Sequence, residues 1–309
     1  MRKDQKMWLK DLDKKLEELN IIFKVDEPLA PYTSIKIGGP CKRMIFPEKE
    51  KSLLKILKFL ENSEIPFFVL GGGSKLLVSD KGFEGVVINF CKFKGIEITE
   101  ENEKKIILKI LAGTRINEII GMGIRKGFGG LEFLGGIPAT LGGAIKMNAG
   151  AFGNTISQLV KNIRIYKNGK IKNIKSEESL WEYRKFKENG IVISTELEME
   201  RMEKERVKEL LKKYLEKRKK TQPLFEKTFG SVFKNPPTYY AGALIEACNL
   251  KGYQIGSAKI SEKHANFIVN LGDAKAEDVL QLIKLVQEKV FLKFGIKLEP
   301  EVNFLGCSL

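Results

Sequence analysis

Nine of the chain's 29 glycines fall within the 27 positions 127–153, GFGGLEFLGGIPATLGGAIKMNAGAFG. Glycine costs backbone entropy on folding and leaves no side chain for a core. A fold keeps such a stretch where backbone must approach backbone, or where main-chain N–H groups must touch a large ligand. Glu132 and Lys146 are its only charged side chains, so an anion held here would be held by amide dipoles. Two readings stand at this point: a tightly turned wall of a domain, or one side of a ligand cradle.

A second cluster bears on the choice. The apolar run IPFFVL (65–70) stops abruptly in Gly71-Gly72-Gly73-Ser74-Lys75. Glycines after a buried strand let consecutive N–H groups face inward, and a serine adds a donor, which is a phosphate-cradling geometry. The segment is neither GxGxxG nor GxxxxGK[ST], so no dinucleotide fingerprint or P-loop is claimed. A plain tight turn is the alternative. Two glycine clusters some 55 residues apart favour one extended, phosphate-containing ligand lying across both.

The remaining composition bounds the class. With 309 residues, the chain is long enough for two domains. Its 54 Lys+Arg against 39 Asp+Glu give +15, but the lysines are spread along the chain beside acids. No aromatic-interleaved basic stretch marks a nucleic-acid surface. Cys41, Cys91, Cys248 and Cys307 form no CxxC pair and read as reduced cytosolic thiols. The opening MRKDQKMWLKDLDKK has no apolar h-region and no 18-residue apolar run follows, so secretion and membrane insertion are not expected. A single histidine, His264, excludes His-rich metal sites and disfavours a Ser–His–Asp triad.

Periodicity predicts helices over 6–20, 50–62, 115–126, 203–221, 240–248 and 275–294, the last with Asp273 as N-cap. Strands are expected at 32–41, 65–70, 86–90, 106–111, 191–199, 265–270 and 297–306. IRIY-KNGK-IKNI (163–174) is a hairpin turning at Asn168-Gly169. The architecture is α+β. The change to a charged helix near 203 divides a strand- and glycine-rich region, 1–202, from a smaller αβ unit, 203–309.

Several segments then occur in one order: TSIKIGGPC (33–41), LGGGSKLLVSD (70–80), GLEFLGGIPATLGGAIKMNAGAFG (130–153), GSVFKNPP (230–237), SEKHANFIVN (261–270) and LEPEVNFLG (298–306). Together they resemble the UDP-N-acetylenolpyruvoylglucosamine reductases, flavoenzymes of bacterial peptidoglycan synthesis, from about residue 20 to the end. The resemblance implies an FAD-binding fold of the vanillyl-alcohol oxidase/p-cresol methylhydroxylase type, followed by a smaller αβ substrate domain. It implies that FAD lies against Gly71, Gly72, Gly73, Ser74, Lys75 and Leu76, with the pyrophosphate on that loop. Gly113, Pro138, Ala139, Thr140, Gly142, Gly143, Asn148 and Gly150 would also bind the cofactor, the 135–150 stretch running along the flavin and its ribityl-phosphate. The only histidine lies outside the flavin half, so the FAD is expected to be non-covalent.

The activity implied is NADPH-dependent reduction of an enolpyruvyl UDP-sugar. By the same resemblance Ser231 is the general acid, with Arg184 and Glu301 at the substrate carboxylate; Glu301 would either donate a hydrogen bond there, if protonated, or orient a cation. Lys234, Asn235, Lys263, His264 and Asn266 would contact substrate, and Lys234 could favour the serine alkoxide. A cytoplasmic monomer is expected. Three departures stand out: GGGSK where the family has GGGSN, YRKF where it has YRxS, and Phe229 where a small residue precedes the Gly-Ser pair. Arg184 and Ser231 are 47 positions apart (231 − 184), too close for the tyrosine-bearing loop that one branch inserts between them. Rival readings are a sugar or alcohol oxidase on the same flavin fold, a flavin binder without catalysis, and a basic nucleic-acid-binding protein.

Overall fold

The computed structural model describes residues 3–309, with side chains from Trp8 onward. The chain divides into two compact units. The first comprises Met1–Asp26, Lys42–Gly72 and Gly85–Tyr214; the second Glu27–Cys41, Gly73–Glu84 and Leu215–Leu309. Two short N-terminal segments thus pack with the C-terminal third, and texture along the sequence does not reveal this. The reason is apolar: Ile35, Ile37 and Leu77 are buried in the same cluster as Phe229, Ile245, Ile268 and Val286.

In the first unit a five-strand antiparallel path runs Lys170–Lys175, Val160–Lys167, Ile191–Arg201, Lys105–Leu111, Ile96–Glu101. Its first pair is the expected hairpin, with Asn168 at φ +50° and Gly169 at +74°, the two left-handed positions that a type I′ turn requires. A four-stranded sheet follows the order Ile22–Pro28, Pro40–Phe46, Phe83–Asn89, Phe67–Leu70. Phe67–Leu70 pairs parallel with Phe83–Asn89, so the apolar run 65–70 needs no alternation. Helix Glu50–Asn62 buries Leu53, Ile56, Leu57 and Leu60, the i, i+3, i+4, i+7 stripe. Helix Ile116–Lys126 ends at Gly127 in the left-handed conformation, where its N–H bonds back to Gly123.

The second unit holds a four-stranded sheet in the order Lys227–Ser231, Phe267–Asn270, Ala258–Ile260, Gln254–Ile255. A parallel pair, Leu76–Val78 with Asn303–Leu305, lies in the same unit. Helix Ala276–Phe294 buries seven side chains.

Three local expectations are corrected. Residues 32–41 are not a strand: a 3₁₀ turn at Ala30–Tyr32 precedes a loop in which Lys36 sits at φ +62°, and the strand begins at Pro40. Hydroxyl bonding from Thr33 to the Ile37 carbonyl competes with a ladder there. The last strand is only Asn303–Leu305, since Pro300 interrupts the apolar pattern. Asp273 does not cap the long helix; the Ala276 N–H donates instead to the Asp80 carboxylate at 3.0–3.1 Å.

Candidate active site

In the first unit the two glycine-rich segments meet. A Cβ on Gly71 would strike the Thr140 hydroxyl, and one on Gly72 would strike the Pro138 carbonyl. Backbone therefore packs on backbone here, which only glycine allows. Gly113 is closed in by the Phe90 and Phe93 carbonyls. The amides of Leu141 and Gly142 bond to the Thr114 and Ala112 carbonyls, both at 2.8 Å. A Cβ on Gly142 would lie 2.9 Å from Ala112, whereas Gly143 is exposed and would meet nothing but the Thr140 hydroxyl at 3.5 Å. Gly142 is thus a packing glycine and Gly143 belongs to the open face.

This wall fits a large polar ligand. Thr140 is 4% exposed, yet its hydroxyl has no hydrogen-bond partner among the described residues, and neither does Oδ1 of buried Asn148. Buried polar atoms left without partners cost about 1–3 kcal/mol each. A ligand rich in carbonyl, hydroxyl and phosphate groups would supply such partners.

Arg184 is also carried by the first unit. It occupies the second turn position of the tight hairpin Trp181–Glu182/Lys185–Phe186, at φ +60°. Two bonds fasten the hairpin and the residues just after it to the glycine-rich stretch: Asn148 donates to the Glu182 carbonyl at 3.0 Å, and Lys146 donates to the Glu188 carbonyl at 3.0 Å. Within the hairpin, Phe186 is buried against Trp181 with ring centroids 4.8 Å apart. Burial pushes the Lys146 ammonium below its ordinary pKa. A Cβ on Gly150 would come within 3.0 Å of the Arg184 guanidinium, so this glycine leaves room for the arginine. The YRKF departure has its explanation in this packing: Phe186 fills core.

In the second unit Ser231 and Glu301 come together on one side chain. The Lys75 ammonium donates to the Ser231 carbonyl at 2.5 Å and lies 3.3 Å from the Glu301 carboxylate. Main-chain bonds fix the pair, from Glu301 N–H to the Val232 carbonyl and from Val232 N–H to the Asn266 carbonyl. Asn266 is 3% exposed and spends both ends of its amide on the Phe233 backbone, each bond 2.9 Å. Phe229, the other departure, is fully buried.

Other expected substrate residues have partners within this unit. Lys234 does not turn to Ser231; its ammonium reaches Glu299 at 2.5 Å. Asn235 Oδ1 accepts from the Ala241 N–H at the start of helix Ala241–Ala247. Lys263 donates to the Lys219 carbonyl. His264 Nδ1 accepts from the Asn266 N–H at 3.2 Å, its ring packs on Phe267, and burial pushes its pKa below the ordinary imidazole value. Gly73 has its carbonyl bonded by Ser34 N–H at 3.0 Å, and Ser74 and Leu76 continue into the Leu76–Val78 strand. The positioning roles of Asn266, Asn148 and Lys146 carry no sequence signal, because each acts on main chain distant in sequence.

These features define a flavoprotein: residues 41–174 match the family described as FAD binding domain, and the polar, glycine-built wall lies within them. Residues 222–305 match the C-terminal domain of UDP-N-acetylenolpyruvoylglucosamine reductase. The chain is 40% identical over 286 residues to the enzyme of that name from Caldanaerobacter subterraneus, covering 91% of this chain and 93% of the relative. It is 40% identical to UDP-N-acetylenolpyruvoylglucosamine reductase 1 of Bacillus anthracis, covering 91% and 94%. The crystal structure of the Thermus caldophilus reductase superposes with a TM-score of 0.77 at 33% identity, covering 92% and 98%. The chain belongs to the UDP-N-acetylenolpyruvoylglucosamine reductase family, and is an FAD-binding oxidoreductase. Among the described residues no helix is long and apolar enough to cross a membrane.

Proposed function

We infer that the chain reduces UDP-N-acetylglucosamine enolpyruvate to UDP-N-acetylmuramate, a step of peptidoglycan synthesis, with FAD as cofactor and NADPH as reductant. The balance is one NADPH and one proton consumed, one carbon–carbon double bond reduced and one NADP⁺ released. When bound, FAD accepts the two electrons from NADPH and passes them to the enolpyruvyl double bond. The protein's residues hold the reactants and handle charge and protons. Backbone at 71–72 and 138–140, the Thr140 hydroxyl and Asn148 Oδ1 receive the cofactor. The Arg184 guanidinium stabilises negative charge that builds on the substrate carboxylate. The Ser231 hydroxyl delivers the proton to the α-carbon. Glu301, ion-paired with Lys75, acts as an acceptor that orients cationic groups, which favours the second of its two expected roles.

Residues 1–202 contain no histidine, which closes the histidyl route to covalent attachment, and FAD is expected to be dissociable. That region is assigned to the cofactor and 203–309 to the substrate, in a cytoplasmic monomer. The observation that supports the residue roles best is the meeting of Ser231 and Glu301 on one ammonium. Product analysis tests the reading: NADPH oxidised and lactyl ether formed should agree mole for mole, without oxygen uptake. NADPH oxidation that continues without the sugar nucleotide and yields peroxide would make the protein an oxidase. Within the reaction, Ser231→Ala is expected to slow the step that consumes the enolpyruvyl substrate by about 10²–10⁴-fold while bleaching of bound FAD by NADPH keeps its rate. Equal loss in both steps would remove the serine from proton transfer.

A further inference from the structure

Lys75 sits at the end of a glycine turn whose expected task is to meet phosphate, yet its side chain turns elsewhere. Its ammonium lies between the Ser231 carbonyl, 2.5 Å away, and the Glu301 carboxylate, 3.3 Å away. The Lys75 side chain is 24% exposed and that of Glu301 only 7%, so the contact is largely shielded from water. The lysine's own backbone is fixed beside the same cluster: its carbonyl accepts from the Asn303 N–H at 2.9 Å and from the Asn303 side chain at 3.2 Å. Gly230 completes the arrangement. It stands at φ +75°, and a Cβ there would lie 3.5 Å from the Lys75 ammonium. Three distant parts of the chain, at Lys75, Gly230–Ser231 and Glu301, thus meet at one cation.

We propose that Lys75 is a positioning residue of the substrate-reducing step: its ammonium ties the main chain at Ser231 to the Glu301 carboxylate and so fixes the serine hydroxyl and the carboxylate relative to each other. A cation is suited to this because it can bond a carbonyl and neutralise a shielded carboxylate at once; a neutral amide can do the first only. Without the charge, the shielded Glu301 carboxylate would lose this ion pair, and the Ser231 segment would lose its bond to the ammonium. A displacement of about 1 Å in a reacting group is enough to cost about 10²-fold in rate. Lys75 then acts on chemistry through Ser231 and Glu301, and makes no essential contact with cofactor phosphate. The inference rests on the roles given to those two residues above.

The test compares Lys75→Met, Lys75→Gln and Lys75→Arg with the unaltered protein, each loaded with FAD and assayed without oxygen. Flavin content, thermal melting, bleaching by NADPH and recolouring by the enolpyruvyl sugar nucleotide are recorded separately. Lys75→Met and Lys75→Gln are expected to keep flavin content and bleaching rate, and to recolour about 10–100-fold more slowly. Lys75→Arg, which keeps the charge and a donor, is expected to restore most of that rate. Should Lys75→Met not fold, Lys75→Gln carries the comparison by itself. Loss of flavin with unchanged rates per bound flavin would make Lys75 a cofactor ligand and overturn the proposal. Parallel loss of melting temperature and of both rates, with no rescue by arginine, would make it a structural ion pair and overturn it equally. If the unaltered protein itself is not recoloured by the sugar nucleotide, the functional reading has failed, not the role of Lys75.

Discussion

The proposed role of Thr140 would make one side chain costly to the empty fold and useful to the loaded one. Its hydroxyl is buried without a partner among the described residues, against the backbone of Gly71. Thr140→Val keeps the shape and removes the orphan. The flavin-free protein is therefore expected to be more stable by about 1 kcal/mol, while FAD binds roughly tenfold more weakly. Calorimetric unfolding of the apoprotein and flavin titration would measure the two effects, and a variant that loses stability without losing affinity would contradict the assignment. Roles for Ser231 and Glu301 could be proposed from sequence because each stands in a long motif, GSVFKNPP and LEPEVNFLG, whereas Arg184 rests on the short YRKF. Lys75 could be named too, but its direction could not be read: a lysine after three glycines faces phosphate or protein with equal ease, and only the fold shows the Ser231 carbonyl within its reach.

At the scale of elements, the hairpin bearing Arg184 explains the YRKF departure. Phe186 is 3% exposed and stacks beside Trp181, and the Lys146 ammonium stands 5.9 Å above its ring. Phe186→Ala should cost about 3–5 kcal/mol through the cavity it leaves. Because the hairpin holds Arg184 but not the Thr140 wall, turnover should fall more than flavin occupancy; absorbance per protein and steady-state rates check this. Long periodic helices and the Asn168-Gly169 hairpin were legible because periodicity and turn chemistry are local signals. The loop at 33–39 and the shortened terminal strand were not, because Thr33 bonding and Pro300 override an otherwise strand-like pattern. The cap on helix Ala276–Phe294 comes from Asp80, nearly 200 residues away, where no reading of the helix's own neighbourhood would find it.

For the whole molecule, the net charge of +15 has a modest but measurable consequence. NADPH and a UDP-sugar are anions, so a positive field raises their encounter rate. Raising salt past physiological strength, where the screening length is about 8 Å, is expected to raise both Michaelis constants and leave the rate at saturation unchanged; a salt-independent KM would show that the lysines serve the surface alone. The division into units was the least legible feature. Residues 27–41 and 73–84 join the C-terminal unit through a few isoleucines and a leucine, a choice made by tertiary packing. The glycine-rich stretch 127–153 has two tasks: it presents the wall of orphaned polar atoms, and through Asn148 and Lys146 it holds the arginine hairpin. The account as a whole turns on one sequence of events in a sealed cuvette. The purified protein should be yellow, bleach on addition of NADPH in the absence of oxygen, and regain its colour on addition of UDP-N-acetylglucosamine enolpyruvate but not of UDP-N-acetylglucosamine. A colourless protein, or a bleached one that only oxygen restores, would contradict it.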